Sequence, residues 1–126
     1  MEGADWEPYQ PVTFVTPPFP EFISGHSAFS AASAEVLEAF TGSDAFGAFA
    51  TVRAGSSKVE PGAVPAADIT LSWATFSDAA DQAGMSRRYG GIHFVQADLQ
   101  GRHGGRLVGA QVWAKALTYF NGTADP

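Results

Sequence analysis

Five of the eight prolines fall in the first 23 residues: Pro8, Pro11, Pro17, Pro18 and Pro20. Each fixes its own φ, lacks an amide donor and biases the preceding residue away from helix. The stretch therefore reads as an extended lead-in, not a regular element. Beyond it the pattern changes at once. Phe29, Ala32, Val36, Leu37 and Phe40 recur at helical spacing, Ser24 stands where an N-cap belongs, and Gly42 in "TGSD" closes the segment. The chain thus divides into a proline-rich lead-in, 1–23, and a helical part, 24–126, of one domain.

Residues 53–70, "RAGSSKVEPGAVPAADIT", hold Gly, Ser and Pro at loop density and predict a long connection with a short extended piece. A second helix is predicted over about 73–83, capped by Ser72 or Thr75. "TFSD" has capping-box spacing with Asp in place of Glu, and Gly84 is the expected stop. "SRRYGGIHF" is read as a short turn or helix. A last helix is predicted from about Asp98 or Gly105 to Phe120, with Leu107, Ala110, Ala114 and Leu117 on one face. The fold class is all-α, with long loops and neither an internal repeat nor a heptad pattern. A long loop in so short a chain marks a functional segment or a missing piece.

Composition narrows the function. A chain of 126 residues, 45% hydrophobic and 16% charged, folds around one core. A net charge of −6 argues against a nucleic-acid or anionic-membrane surface, although seven Lys and Arg can still form a local anion site. The absence of Cys excludes disulfides, thiolate catalysis and Cys-based zinc sites. No apolar run approaches the roughly 18 residues of a membrane span. The acidic start "MEGADWEPYQ" is not a signal peptide, so localisation stays open.

Three groups carry chemistry: Ser24-Gly25-His26 at a helix start, Arg87 or Arg88 in "SRRYGG", and His93. Free N–H groups at a helix N-terminus point at negative charge. Gly25 allows close backbone approach, Ser24 adds a hydroxyl and an Arg supplies a charge-assisted fork. Two imidazoles can then divide the work, one as ligand or nucleophile and one as general acid/base. The pattern suits a tetrahedral oxyanion that becomes five-coordinate. Plainer readings stand beside it. Ser24-Gly25 alone is a helix cap, and His26 alone a surface histidine. Arg88 reads as a solvated neighbour of Arg87, and His103 as exposed in a turn. Asp78 and Asp81 read as a solvated face, Met85 and the Phe residues as core, and Tyr89 as packing.

"PPFPEFISGHSAFSAAS" and "SRRYGGIHF" resemble the second and third motifs of the vanadium-dependent haloperoxidases, which are grouped with the type 2 phosphatidic acid phosphatases and bacterial acid phosphatases. "ATFSDAADQAGMSRRYGGIHF" and "GGRLVGAQV" extend the resemblance over about residues 15–115. It implies that His93 binds vanadium in a peroxidase or attacks phosphorus in a phosphatase. His26 is then the acid/base histidine, Ser24 and the Gly25 N–H are oxyanion donors, and Arg87 is the motif arginine. Phe19 matches a halide-pocket position that is Phe in the chloroperoxidases. The implied cofactor is vanadate, with hydrogen peroxide, a halide and an organic acceptor as partners. For a phosphatase, which needs no vanadate, the substrate is a phosphate monoester.

The sequence also departs from that family. Its first motif, a Lys followed by Arg-Pro, is absent, since there is no Arg-Pro and both lysines, Lys58 and Lys115, follow Ser24. At about 1.5–3 kcal/mol per hydrogen bond to a charged group, losing two cations weakens anion binding by orders of magnitude. Ile23 stands where Pro is usual. Ala97 stands where an acidic residue often follows the histidine, with Asp98 one later. The resemblance thus implies a truncated form, the C-terminal part of a larger bundle, completed by an N-terminal half or a second copy. Three functions follow: a vanadate-dependent haloperoxidase, a phosphomonoesterase working through a phosphohistidine, or an inactive fragment.

Overall fold

The computed structural model describes residues 2–5, 10 and 12–124. Pro8 and Pro11 of the lead-in lie outside the described residues. Its described part holds one short 3-10 turn, Gly3–Asp5, and no regular element from 12 to 24. It is strapped across the chain. Gln10 Nε2 donates to the carbonyls of Gly90 and Gly91 at 3.1 and 2.5 Å, and the Gln10 side-chain oxygen accepts from Thr16 Oγ1 at 2.7 Å.

The order that follows is α1 (Gly25–Thr41), β1 (Ala45–Val52), β2 (Ile69–Thr75), α2 (Phe76–Tyr89) and α3 (Val95–Phe120). The fold is mostly helical, as expected. Helix α1 begins where the sequence places it: the Ser24 side chain accepts from Ser27 N, and Gly42, at φ 75°, sends its N–H to Glu38 O. Its buried face is small, with Ser27, Ala31 and Ala34. Along its edge Ser27, Ala28, Ala32 and Glu35 meet a row of glycines on α3, Gly101, Gly105 and Gly109, one turn apart on one side. Without Cβ atoms the two backbones come into direct contact.

Several expectations need correction. The long connection predicted over 53–70 is present as 53–68, but it joins the two strands of an antiparallel hairpin that was not expected, with Val52 opposite Ile69 and Ala48 opposite Trp73. Helix α2 therefore starts at Phe76 and not near 73, because Trp73 and Ala74 belong to β2. Thr75 is the cap, and the capping box with Asp78 is complete. Gly84 does not stop α2. It lies buried in mid-helix, where a Cβ would strike Asp98 and Ser27, so it is there for close packing. Helix α2 carries on through "SRRY" to Gly90. Helix α3 starts at Val95, earlier than expected, and contains His103, which is exposed on a helix and not in a turn.

The predicted apolar face of α3 is a surface. Leu107 is 55% exposed, and Ala110, Ala114 and Leu117 are also exposed, because the glycine face takes the contact with α1. The core is correspondingly small: Ala31, Ala34, Ala80, Ile92 and Ala97. Most Phe residues lie outside it, with Phe29, Phe40 and Phe49 among the exposed. Tyr89 is exposed as well, at 84%, and not a packing residue of the core. No helix of the described residues is long and apolar enough to cross a membrane.

Candidate functional site

His93 sits in the turn between α2 and α3. Gly91, at φ 67°, reverses the chain, and the Ile92 N–H donates to Arg87 O at 3.2 Å. This places a buried imidazole beside the end of α2. The Phe19 ring stacks on it, with centroids 5.7 Å apart and planes 20° apart. His26, in the first turn of α1, meets His93 across a cavity of about 540 Å³ lined also by Phe19, Pro20, Ile23, Gly25 and Phe29. The two predicted histidines, 67 positions apart in sequence, thus share one wall.

Arg87 is half-buried and outside the lining of that cavity, and its charge acts on His26. Its Nε is sealed from solvent and has no hydrogen-bond partner among the described residues. Burial lowers its pKa from the usual arginine value. His26 is held below the usual histidine range, first by desolvation and then by the charges of Arg87 and His93. It is thereby kept neutral and able to accept a proton. At the start of α1 the Gly25 and His26 amides have no partner among the described residues, as expected for a first helical turn. A Cβ added at Gly25 would meet nothing within 4 Å, and Gly25 and His26 both line the cavity.

Ser24 is placed differently. It is fully buried, and its hydroxyl lies 2.8 Å from Ser27 Oγ, which lies 2.8 Å from Asp98 Oδ1. A hydroxyl has one proton to give. The Asp98 carboxylate takes that of Ser27, so Ser24 donates to Ser27 and accepts from the Ser27 amide. Its side chain belongs to the helix junction and is absent from the cavity lining.

Sequence reasoning missed the centre of that junction. Asp98 is 0% exposed and binds Arg102 through both oxygens, at 2.7 and 2.8 Å. Burial alone would raise its pKa. The hydrogen bonds from Arg102 and Ser27, with the charges of Arg102 and Arg88, outweigh that and hold it low. Arg88, read as solvated, stands 3.7 Å from Asp98. Asp81, also read as solvated, pairs with Arg102 at 3.1 Å and Arg106 at 3.3 Å. The only signal in the sequence was the i, i+4 spacing of Asp98 and Arg102. Among the described residues no cluster of His, Asp and Glu could hold a metal cation. The arrangement suits an anion: unpaired amides, a buried guanidinium N–H and two imidazoles.

Comparison with known proteins identifies the family. The family model of the VCPO second helical-bundle domain matches residues 1–122. The holo form of a bacterial vanadium-dependent chloroperoxidase matches at 26% identity and a TM-score of 0.77, over 88% of this chain and 23% of that one. An apo form of such an enzyme matches at 27% and 0.72, over 75% and 21%. A bacterial vanadium-dependent iodoperoxidase matches at 37% and 0.58, over 86% and 23%. No curated protein matches significantly. The chain spans less than a quarter of each structure it resembles. By its match over 1–122, the chain belongs to the family of VCPO second helical-bundle domains, within the vanadium-dependent haloperoxidase superfamily.

Proposed function

We propose that this chain carries the histidine-bearing part of a vanadate-dependent haloperoxidase site, with His93 as the vanadate ligand. The carrying observation is the pair of imidazoles on one cavity, with the charge of Arg87 acting on His26 and the buried Arg87 Nε without a partner among the described residues. An unpaired buried donor costs about 1–3 kcal/mol, more for a charged group, and an oxyanion satisfies it. The donor set fits vanadate, an oxygen-rich anion, better than it fits a cation. Bound there, vanadate would supply the Lewis acid that activates hydrogen peroxide toward a halide.

The residues divide the remaining work. His93 Nδ1 is closed to solvent, so a ligand is held by Nε2. The Gly25 and His26 amides would hold the oxyanion oxygens, with Arg87 supplying positive charge. His26, its pKa lowered by desolvation and by Arg87, would accept a proton from peroxide. Phe19 covers the face of His93 and presents an apolar edge to the halide. Neither Lys58 nor Lys115 lines the cavity.

The test is an orthovanadate titration of the chain with His93→Ala as control. Bromination with peroxide and bromide, and hydrolysis of an aryl phosphate, are followed in parallel. Bromination that rises with vanadate and vanishes in the variant is the expected result. Hydrolysis that falls with vanadate would assign a phosphatase instead. Silence in both rates would leave a chain without catalysis.

A further inference from the structure

His93 has one polar atom without a partner. Its Nδ1 is sealed from solvent and makes no hydrogen bond, in a residue that is 6% exposed. Buried nitrogens of this kind are rare. The charged group beside it is Glu21, whose Oε1 lies 3.6 Å away. The same oxygen accepts the Phe94 N–H at 2.8 Å, so the carboxylate is anchored to the residue after His93. Phe19, two residues before Glu21, stacks on the imidazole face. One short piece of the lead-in therefore grips the ring from its face and from its Nδ1 edge.

The other acidic candidates are occupied or absent. Ala97 has no carboxylate, and its carbonyl accepts the Ser24 N–H at 3.2 Å. Asp98 is fully engaged with Arg102 and Ser27. We propose that Glu21 is the positioning residue of His93: its carboxylate accepts a hydrogen bond from Nδ1–H, so fixing the Nδ1–H tautomer and leaving the Nε2 lone pair free toward the cavity. A carboxylate behind a ligating imidazole orients the ring and raises its basicity. At 3.6 Å the contact is longer than a hydrogen bond, and closing it takes a shift of about 0.5–0.8 Å. The purpose of this tautomer rests on His93 being the oxyanion ligand; its existence does not.

The test reads the tautomer of the free chain, with no vanadate or peroxide present. Long-range proton–nitrogen correlation spectra of the imidazoles are recorded in alkaline buffer, where a histidine ring is neutral. The chain has three histidines, and His93→Gln assigns the signals. Wild type is expected in the Nδ1–H form. In Glu21→Ala the ratio of tautomers moves by at least about tenfold toward Nε2–H, the loss of one hydrogen bond to a charged acceptor. Glu21→Gln, whose amide oxygen still accepts, keeps the Nδ1–H form. An Nε2–H ring in wild type overturns the proposal without any variant having to fold. An unchanged ratio in a folded Glu21→Ala, with His26 signals intact, overturns it as well. Either result leaves the vanadate assay untouched, and a silent assay leaves the tautomer readable.

Discussion

Gly104 and Gly105 are neighbours on α3, and alanine at the two positions should move stability in opposite directions. A Cβ at Gly104 meets nothing within 4 Å. Gly104→Ala therefore gains only helix propensity, about 0.8–1 kcal/mol. At Gly105 the same Cβ falls on the Ala28 carbonyl oxygen and 3.0 Å from Ala28 C and Cα. That obstacle is the α1 backbone, which cannot rotate away as a side chain would. Overpacking costs about 1–3 kcal/mol, and a contact of this kind belongs at or above the top of the range. After the propensity gain, Gly105→Ala should lose about 2 kcal/mol. For a domain of this size that is a fall of roughly 6–10 °C in Tm, against a rise of about 3–5 °C for Gly104→Ala. Thermal and urea unfolding followed by far-ultraviolet circular dichroism measures both, with coincident transitions as the two-state check. Equal or greater stability in Gly105→Ala would refute the close α1–α3 contact on which the site's placement depends. Gly101→Ala extends the argument, since its Cβ would lie 2.8 Å from Ser24 O and push on the cap that carries Gly25 and His26.

Asp98→Asn leaves Arg102 without its buried partner and should cost about 3–5 kcal/mol in urea unfolding near neutral pH. Because the folded pKa of Asp98 lies below its unfolded value, its stabilisation is complete above the unfolded value, about 3.9, and is lost as pH falls through the folded one. Wild type should therefore lose more stability than Asp98→Asn on acidification below about pH 5, and parallel losses would contradict the assignment. His26 should titrate by proton NMR below the usual 6.5. In Arg87→Gln its midpoint should rise only part of the way back, since desolvation is the larger cause; no rise would show that the two side chains do not interact.

The sequence made the ends of elements legible and left their partners hidden. Ser24, Gly42 and the Thr75–Asp78 box act on backbone groups within four residues, so their signals are local and were read correctly. Gly84 shows the limit. A glycine near the end of a helical pattern signals a stop, but here it makes room for Asp98 and Ser27 from two other helices. The hairpin was hidden because β1, "AFGAFATV", and β2, "ITLSWAT", are mostly exposed and lack the clean alternation of a half-buried strand. On α3 the periodicity of Leu107, Ala110, Ala114 and Leu117 is real, but period identifies a face and not what covers it. The glycine face won the contact because it brings α1 nearest. The motif histidines and Arg87 were legible as residues. Glu21 and Asp98, which hold the surroundings of those residues, act across 73 and 71 positions of sequence.

Ser24 carries the clearest case of two readings that no sequence can separate. A helix cap and an oxyanion donor both call for a serine at this position, and either accounts for the residue. Only one proton is available to serve them. In this chain its direction is set by Asp98, through Ser27, and it points into the junction of α1 and α3. In the proposed site an anion is left with the backbone of the first helical turn and the two imidazoles that line the cavity. The aim of those amides is set by the helix cap and not by a side-chain torsion. That explains why a buried aspartate one turn into α3 matters to a site it never touches. Neutralising Asp98 would free the Ser27 proton, allow Ser24 to turn, and loosen the cap that aims the Gly25 and His26 amides.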